Sequence, residues 1–307
     1  MVACPDGECG HRPPARAPEA PEAPGGICVR RRPDARYRSR LRWYRRTVPS
    51  MTVFAGIDLA WTPHRESGIC VLEGDADRLS LLALEARVVA VDGLGTDLAS
   101  HADIVAAIDA PLIIGPDRTA EREVGRLFGK YKASVHAANE ALFVATGRMA
   151  GPNLGRALGA LRFDLDPRSI TPKARGRFAF ECYPHAQHVV LFGLAERIPY
   201  KRKKGRNVAF VREQFVVLQK HLTEALKKNA DSLLADVSLR TLLALEAVEA
   251  RGTALKAVED QLDALTCALA AYLGWRDGMT ARDVVGDPAT GYIAVPGLRG
   301  DPRFVRT

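Results

Sequence analysis

The stretch "VFAGIDLAWTP" (residues 53–63) limits most sharply how this chain can fold: it is an apolar run with one acid, Asp58, in its middle. An unpaired carboxylate in a buried strand loses its hydration, so the fold must bring it to a strand end or give it a cation. Two more predicted strands carry the same anomaly. Asp109 closes "IVAAIDAPL", where Pro111 keeps Ala110 extended and ends the strand. Glu181 lies in "FAFECYP", which Pro184 closes. A fourth acid, Asp263, precedes the uncharged stretch 264–275 in the last long helix, where it borders the stripe Leu255, Val258, Leu262, Leu265 and Leu269.

The runs 52–61, 67–74 and 79–89 alternate with polar turns and read as an antiparallel meander. A short helix at "TDLASHA" leads into "DIVAAIDAPL" (103–112), whose continuous apolar character predicts a strand covered on both faces. Helices are predicted over 119–131, opening on Thr119, and over 155–163, before a fifth strand at 177–185. The rest reads as helix over 185–193, 206–227, 230–236, 238–250 and 254–276. That order describes mixed α/β layers with a helical C-terminal part.

Residues 1–50 lack apolar periodicity and are rich in Pro and Arg, so they cannot offset the entropy of ordering and read as a disordered extension. Met51, just before the first strand, is a candidate natural start. A single domain is expected over 51–300 and a tail over 301–307. The extension holds 11 Arg against 5 acids, and therefore +6 of the formal +8, so the net charge does not by itself indicate a nucleic-acid partner. No run reaches the ~18 uncharged apolar residues of a membrane span. Three of the six Cys lie in the extension and the others are isolated, which fits a reducing, cytoplasmic compartment.

A lone Asp at a strand end is usually a turn or capping residue. Four acids with apolar flanks carry more weight. Converging carboxylates raise one another's pKa unless a cation neutralises them, and hard oxygen ligands select Mg²⁺ or Mn²⁺. Such clusters serve two-metal phosphodiester hydrolysis, so two ions are expected, with Asp58 central and bridging. "YKRKKGR" (200–206) is either a solvated loop or a phosphate clamp formed by Lys201, Lys203 and Arg206. His185 is a candidate proton shuttle. Arg118 and Arg122, on the helix after Asp109, are read as surface residues in preference to a place facing the cleft. "GRLFGK" (125–130) has the wrong spacing for a P-loop, and Tyr131 stands where Ser or Thr would meet Mg²⁺. Cys182, His185 and His188 lack a fourth zinc ligand, and Cys182 points to the opposite sheet face from Glu181.

"GIDLAW", "AIDAPL", "ECYP", "PYKRKKGR", "DALTCALAAY" and "GDPATGYIAVP", in that order, resemble domain-of-unknown-function family 429, predicted nucleases of the ribonuclease H-like fold. The resemblance runs from about Met51 to Gly297. The family's acids fall on Asp58, Asp109, Glu181 and Asp263. It implies a mixed five-stranded sheet, three antiparallel strands and then parallel ones, flanked by helices, and a metal-dependent nuclease acting on RNA or DNA. Two other readings stay open. One is an ATP-dependent phosphotransferase of the actin or sugar-kinase type, which also begins "GIDL" but needs a Gly/Thr-rich phosphate turn that is missing here. The other is a non-catalytic nucleic-acid-binding protein.

Overall fold

A computed structural model describes residues 51–62, 64–203 and 205–304. The expected N-terminal extension lies outside the described residues. Three apolar runs form an antiparallel meander, β1 (Thr52–Asp58), β2 (Glu66–Gly74) and β3 (Leu79–Val88). After α1 (Val91–Ala99), β4 (Ile104–Ile108) returns beside β1 in parallel, and its five residues are all buried. β5 (Arg177–Glu181) adds a second parallel pair, giving the order β3-β2-β1-β4-β5. The five-stranded mixed sheet flanked by helices is the layered α/β architecture expected from the sequence.

Between β4 and β5 lie α2 (Ala120–Phe128), α3 (Glu140–Thr146) and α4 (Ala150–Ala160). α3 has no counterpart among the helices expected from the sequence. Its signals are local ones: the Asn139 side chain accepts the Leu142 N–H at 3.0 Å, and Gly147 ends the helix with φ +66°. Beyond β5 come α5 (Pro184–Leu191), α6 (Val208–Asn229), α7 (Val237–Leu242) and α8 (Thr253–Asp277). The single helix expected over 238–250 is instead α7 followed by a separate 3₁₀ turn at Leu245–Glu249. A second sheet, the hairpin β6 (Val284–Asp287) with β7 (Gly291–Ala294), was not read from the sequence, although "DPATG" is turn chemistry between apolar flanks.

From Leu262 to Trp275 every residue of α8 is buried. The helix packs on β1, β2 and β4, and its other side joins side chains of α6 and α7 in the same apolar cluster. Asp263 therefore has 0 % exposure instead of bordering a one-sided stripe. The segment read as a tail is docked as far as Phe304, whose ring packs on Phe128 and Tyr131. Among the described residues no helix is long and apolar enough to cross a membrane.

Candidate metal centre

Asp58 ends β1 and Asp109 follows β4 directly, each one step beyond the parallel partners Ile57 and Ile108. The Asp109 N–H donates to the Ile57 carbonyl at 2.8 Å, so the two strand ends are tied at the acids. Matched positions on neighbouring strands share a face, which sets both carboxylates on the side covered by α8. Two glycines let that helix come close. A Cβ on Gly56 would lie 2.0 Å from the Ala264 carbonyl oxygen, and one on Gly68, the cross-strand partner of Asp58, 1.9 Å from that of Asp260. With no side chain between them, helix and sheet touch through backbone, and Asp263 reaches the level of the two strand-end acids. One carboxylate oxygen from each of Asp58, Asp109 and Asp263 lies within 4.8 Å of the others.

Glu181 is not part of this group. The β4–β5 register pairs Glu181 with Ile108, not with Asp109. A one-residue offset puts a strand side chain on the opposite face. There Glu181 meets Arg118, which donates to it through two nitrogens at 2.6 and 3.0 Å, and the Leu112 N–H at 3.3 Å. The guanidinium also contacts Glu121 and the Ile113 carbonyl, and its side chain is only 2 % exposed. Arg118 is thus a buried anchor, contrary to its reading as a surface residue. Burial pushes the Glu181 carboxyl up to about 7 against the pull of Arg118. For Arg118 burial opposes the charge, but Glu181 and Glu121 outweigh it and hold the guanidinium protonated. Cys182, the residue directly after β5, is the one on the aspartates' face, and it is buried against α8.

The three aspartates share a low-dielectric floor. Burial is the main force raising the Asp58 carboxyl well above its ordinary range; Lys201 opposes it, and Asp263 and Asp109 add to it. Burial likewise raises Asp109 to about 6, with Lys201 opposing and Asp263 adding. The Tyr200 hydroxyl donates to Asp263 Oδ1. Asp263 Oδ2 accepts no hydrogen bond of good geometry among the described residues, although the Lys201 ammonium stands 2.8 Å away. A fully buried oxygen with a lone pair unused, facing two more carboxylates, is a donor set suited to a hard divalent cation. The triad thus fits a metal ion. Metal binding would also relieve the mutual repulsion that raises these acids.

The basic segment divides by role. Lys201 Nζ lies 2.8 Å from Asp263 and 3.8 Å from Asp109, so its charge is engaged by the acids instead of standing free for phosphate. Lys203 is exposed and lines the cleft over the triad. Arg206 faces away from that purpose: it donates to the carbonyls of Pro199 and Lys201 at 3.0 and 2.8 Å and braces the loop. His185 borders the cleft, buried, with Arg197 3.4 Å from its Nε2. Burial, with Lys201 as the next contribution, holds the imidazole well below its ordinary pKa, so it stays neutral and poorly suited to carrying a proton. The cleft has a volume of about 1280 Å³, and its wall includes Arg65, Arg148, Arg197 and Lys203, with Trp61 tilted against Phe143.

Tyr200 and Lys256 were not found by sequence reasoning. Tyr200 is the aromatic that precedes the basic run, a weak signal by itself. Lys256, on α8 beside the cleft, pairs with Glu259 at 3.0 Å and with Asp260. Its spacing to both acids is the helical i, i+3 and i, i+4 pattern, legible in principle.

The family model described as "Protein of unknown function (DUF429)" matches residues 56–289, a span that contains Asp58, Asp109, Glu181 and Asp263. The comparison with curated proteins returned no match.

Proposed function

From the premise that the chain belongs to the DUF429 family, we propose that it is a metal-dependent nuclease of the ribonuclease H-like type, cutting phosphodiester bonds of nucleic acid. One observation carries the reading. Three aspartates from a strand, a strand end and a buried helix converge within 4.8 Å under a cleft walled by arginine and lysine. The mixed sheet, three antiparallel strands followed by two parallel ones, supports the fold assignment.

Asp58, Asp109 and Asp263 would hold the divalent cation, Mg²⁺ or Mn²⁺. When bound, the ion supplies Lewis acidity at the phosphodiester. The chain does the rest. Tyr200 fixes the Asp263 carboxylate through Oδ1 and leaves Oδ2 for a cation. The rim cations Lys203, Arg197 and Arg148 draw the phosphate chain into the cleft and set its position, while carrying no base information. Asp263 is wholly buried and Asp58 and Asp109 are half-buried, which strengthens the charge interactions at the floor.

The test is purified protein with Mn²⁺ and labelled single-stranded RNA, single-stranded DNA, duplex and hybrid. Cutting of at least one substrate is expected, falling to background in Asp58→Asn while circular dichroism stays unchanged. Cutting that survives loss of both Asp58 and Asp109 would remove this site from the chemistry. Millimolar ATP is expected to leave the melting temperature unchanged; a clear rise would favour the phosphotransferase reading instead.

A further inference from the structure

Lys201 sits where a cation belongs. Its ammonium is 2.8 Å from Asp263 Oδ2 and 3.8 Å from Asp109 Oδ2, and its side chain is 27 % exposed, so it is held at the cleft floor and not out in solvent. The backbone on both sides is fixed. Tyr200 is wholly buried and donates to Asp263, and Arg206 clamps the carbonyls of Pro199 and Lys201. Glu181, which would have been the fourth acid, is on the other sheet face and already neutralised by Arg118.

We infer that Lys201 supplies the second positive charge of the site, so that the triad takes one divalent ion where a four-acid cluster would take two. The inference rests on the metal-site reading above and concerns its stoichiometry. Charge decides the matter. Three carboxylates carry −3, and one ammonium with one divalent ion brings the triad to zero, while Glu259, Asp260 and Lys256 beside it add −1. A second divalent ion would leave the triad and Lys201 at +2. Like charges held close together repel one another strongly where water screens them only in part. Two other buried acids of the cleft, Glu259 and Asp260, are paired with Lys256. In this arrangement Lys201 is a positioning residue: it offsets the repulsion between Asp109 and Asp263 before the ion arrives, and it then fixes how much charge the site accepts.

Counting bound Mn²⁺ by equilibrium dialysis with electron paramagnetic resonance of the free ion tests this without any turnover. The wild-type chain is expected to bind one Mn²⁺ with an affinity that Asp58→Asn abolishes. Lys201→Met, with the counter-charge gone, is expected to bind two, and its first ion roughly tenfold more tightly or better. Lys201→Arg, which keeps the charge, is expected to return to one. Two ions in the wild-type chain would overturn the inference while leaving the metal site intact, and so would one ion of unchanged affinity in Lys201→Met. No Mn²⁺ in the wild-type chain would sink the metal-site reading itself. The wild-type count decides the matter even if Lys201→Met fails to fold.

Discussion

Asp109 makes the electrostatic cost of the site measurable at the level of one residue. Burial lifts its carboxyl to about 6 from an ordinary 3.8, so the folded chain holds that proton more tightly than the unfolded chain does. The stability this gives is complete below the unfolded value and is lost as pH rises through about 6. His185 and His188 act with the opposite sign, since burial lowers both, His188 to about 3. A pH profile of the wild-type chain alone would therefore mix the two effects. Comparison with Asp109→Asn separates them, because the histidines are common to both proteins and the Asn cannot ionise. In EDTA, Asp109→Asn is expected to melt close to wild type near pH 4 and progressively above it towards pH 7, by differential scanning fluorimetry. A constant difference across that range would show that Asp109 is not held against its charge. The three aspartates were legible because an acid in an apolar run is anomalous without any knowledge of the fold. What Lys201 touches was not legible, because which charge a flexible side chain meets depends on a loop path that no local pattern encodes.

Elements decide which acids can meet. The strands and most helices followed from periodicity, yet Glu181 was assigned to the wrong side, because sequence gives the strand and not the offset at which it pairs. Its side of the sheet follows from its pairing with Ile108, and that pairing makes it structural. Glu181→Gln is accordingly expected to keep Mn²⁺ stoichiometry and affinity while lowering stability, by about 3 kcal/mol for a broken buried ion pair. Urea unfolding and the metal count, taken together, check it; loss of metal binding at unchanged stability would return Glu181 to the site. The contact of α8 with the sheet makes a matching demand. On Gly56 a methyl group would meet helix backbone at 2.0 Å, which cannot rotate away, so Gly56→Ala must displace α8 and Asp263 with it. Gly125, with nothing near its Cβ position in α2, is the control, and there Ala is expected to be neutral or slightly stabilising. Equal effects at the two positions would mean that close packing of α8 is not what builds the site. Glycines in a strand hint at such an approach, but only the partner element shows what approaches.

For the whole molecule the question is where affinity for a polyanion resides. The formal charge is +8, but residues 1–50 hold +6 of it, so the described part of the chain is close to neutral and its cations count by position, not by sum. Arg197 and Lys203 stand at the cleft wall above the aspartates. If they contact phosphates of a single strand, each releases counterions, and the slope of log affinity against log salt changes by about 0.7 per contact. Arg197→Gln with Lys203→Gln should therefore flatten the salt dependence of single-strand binding by about 1.4. The same pair should lower turnover more than it weakens binding, because cations elsewhere still attract the strand but no longer seat it over the triad. Fluorescence anisotropy from 50 to 300 mM salt, run in EDTA so that no cutting occurs, measures the slope. A slope that does not move would place the bound strand outside this cleft, and the aspartates would then need a substrate small enough to enter it alone.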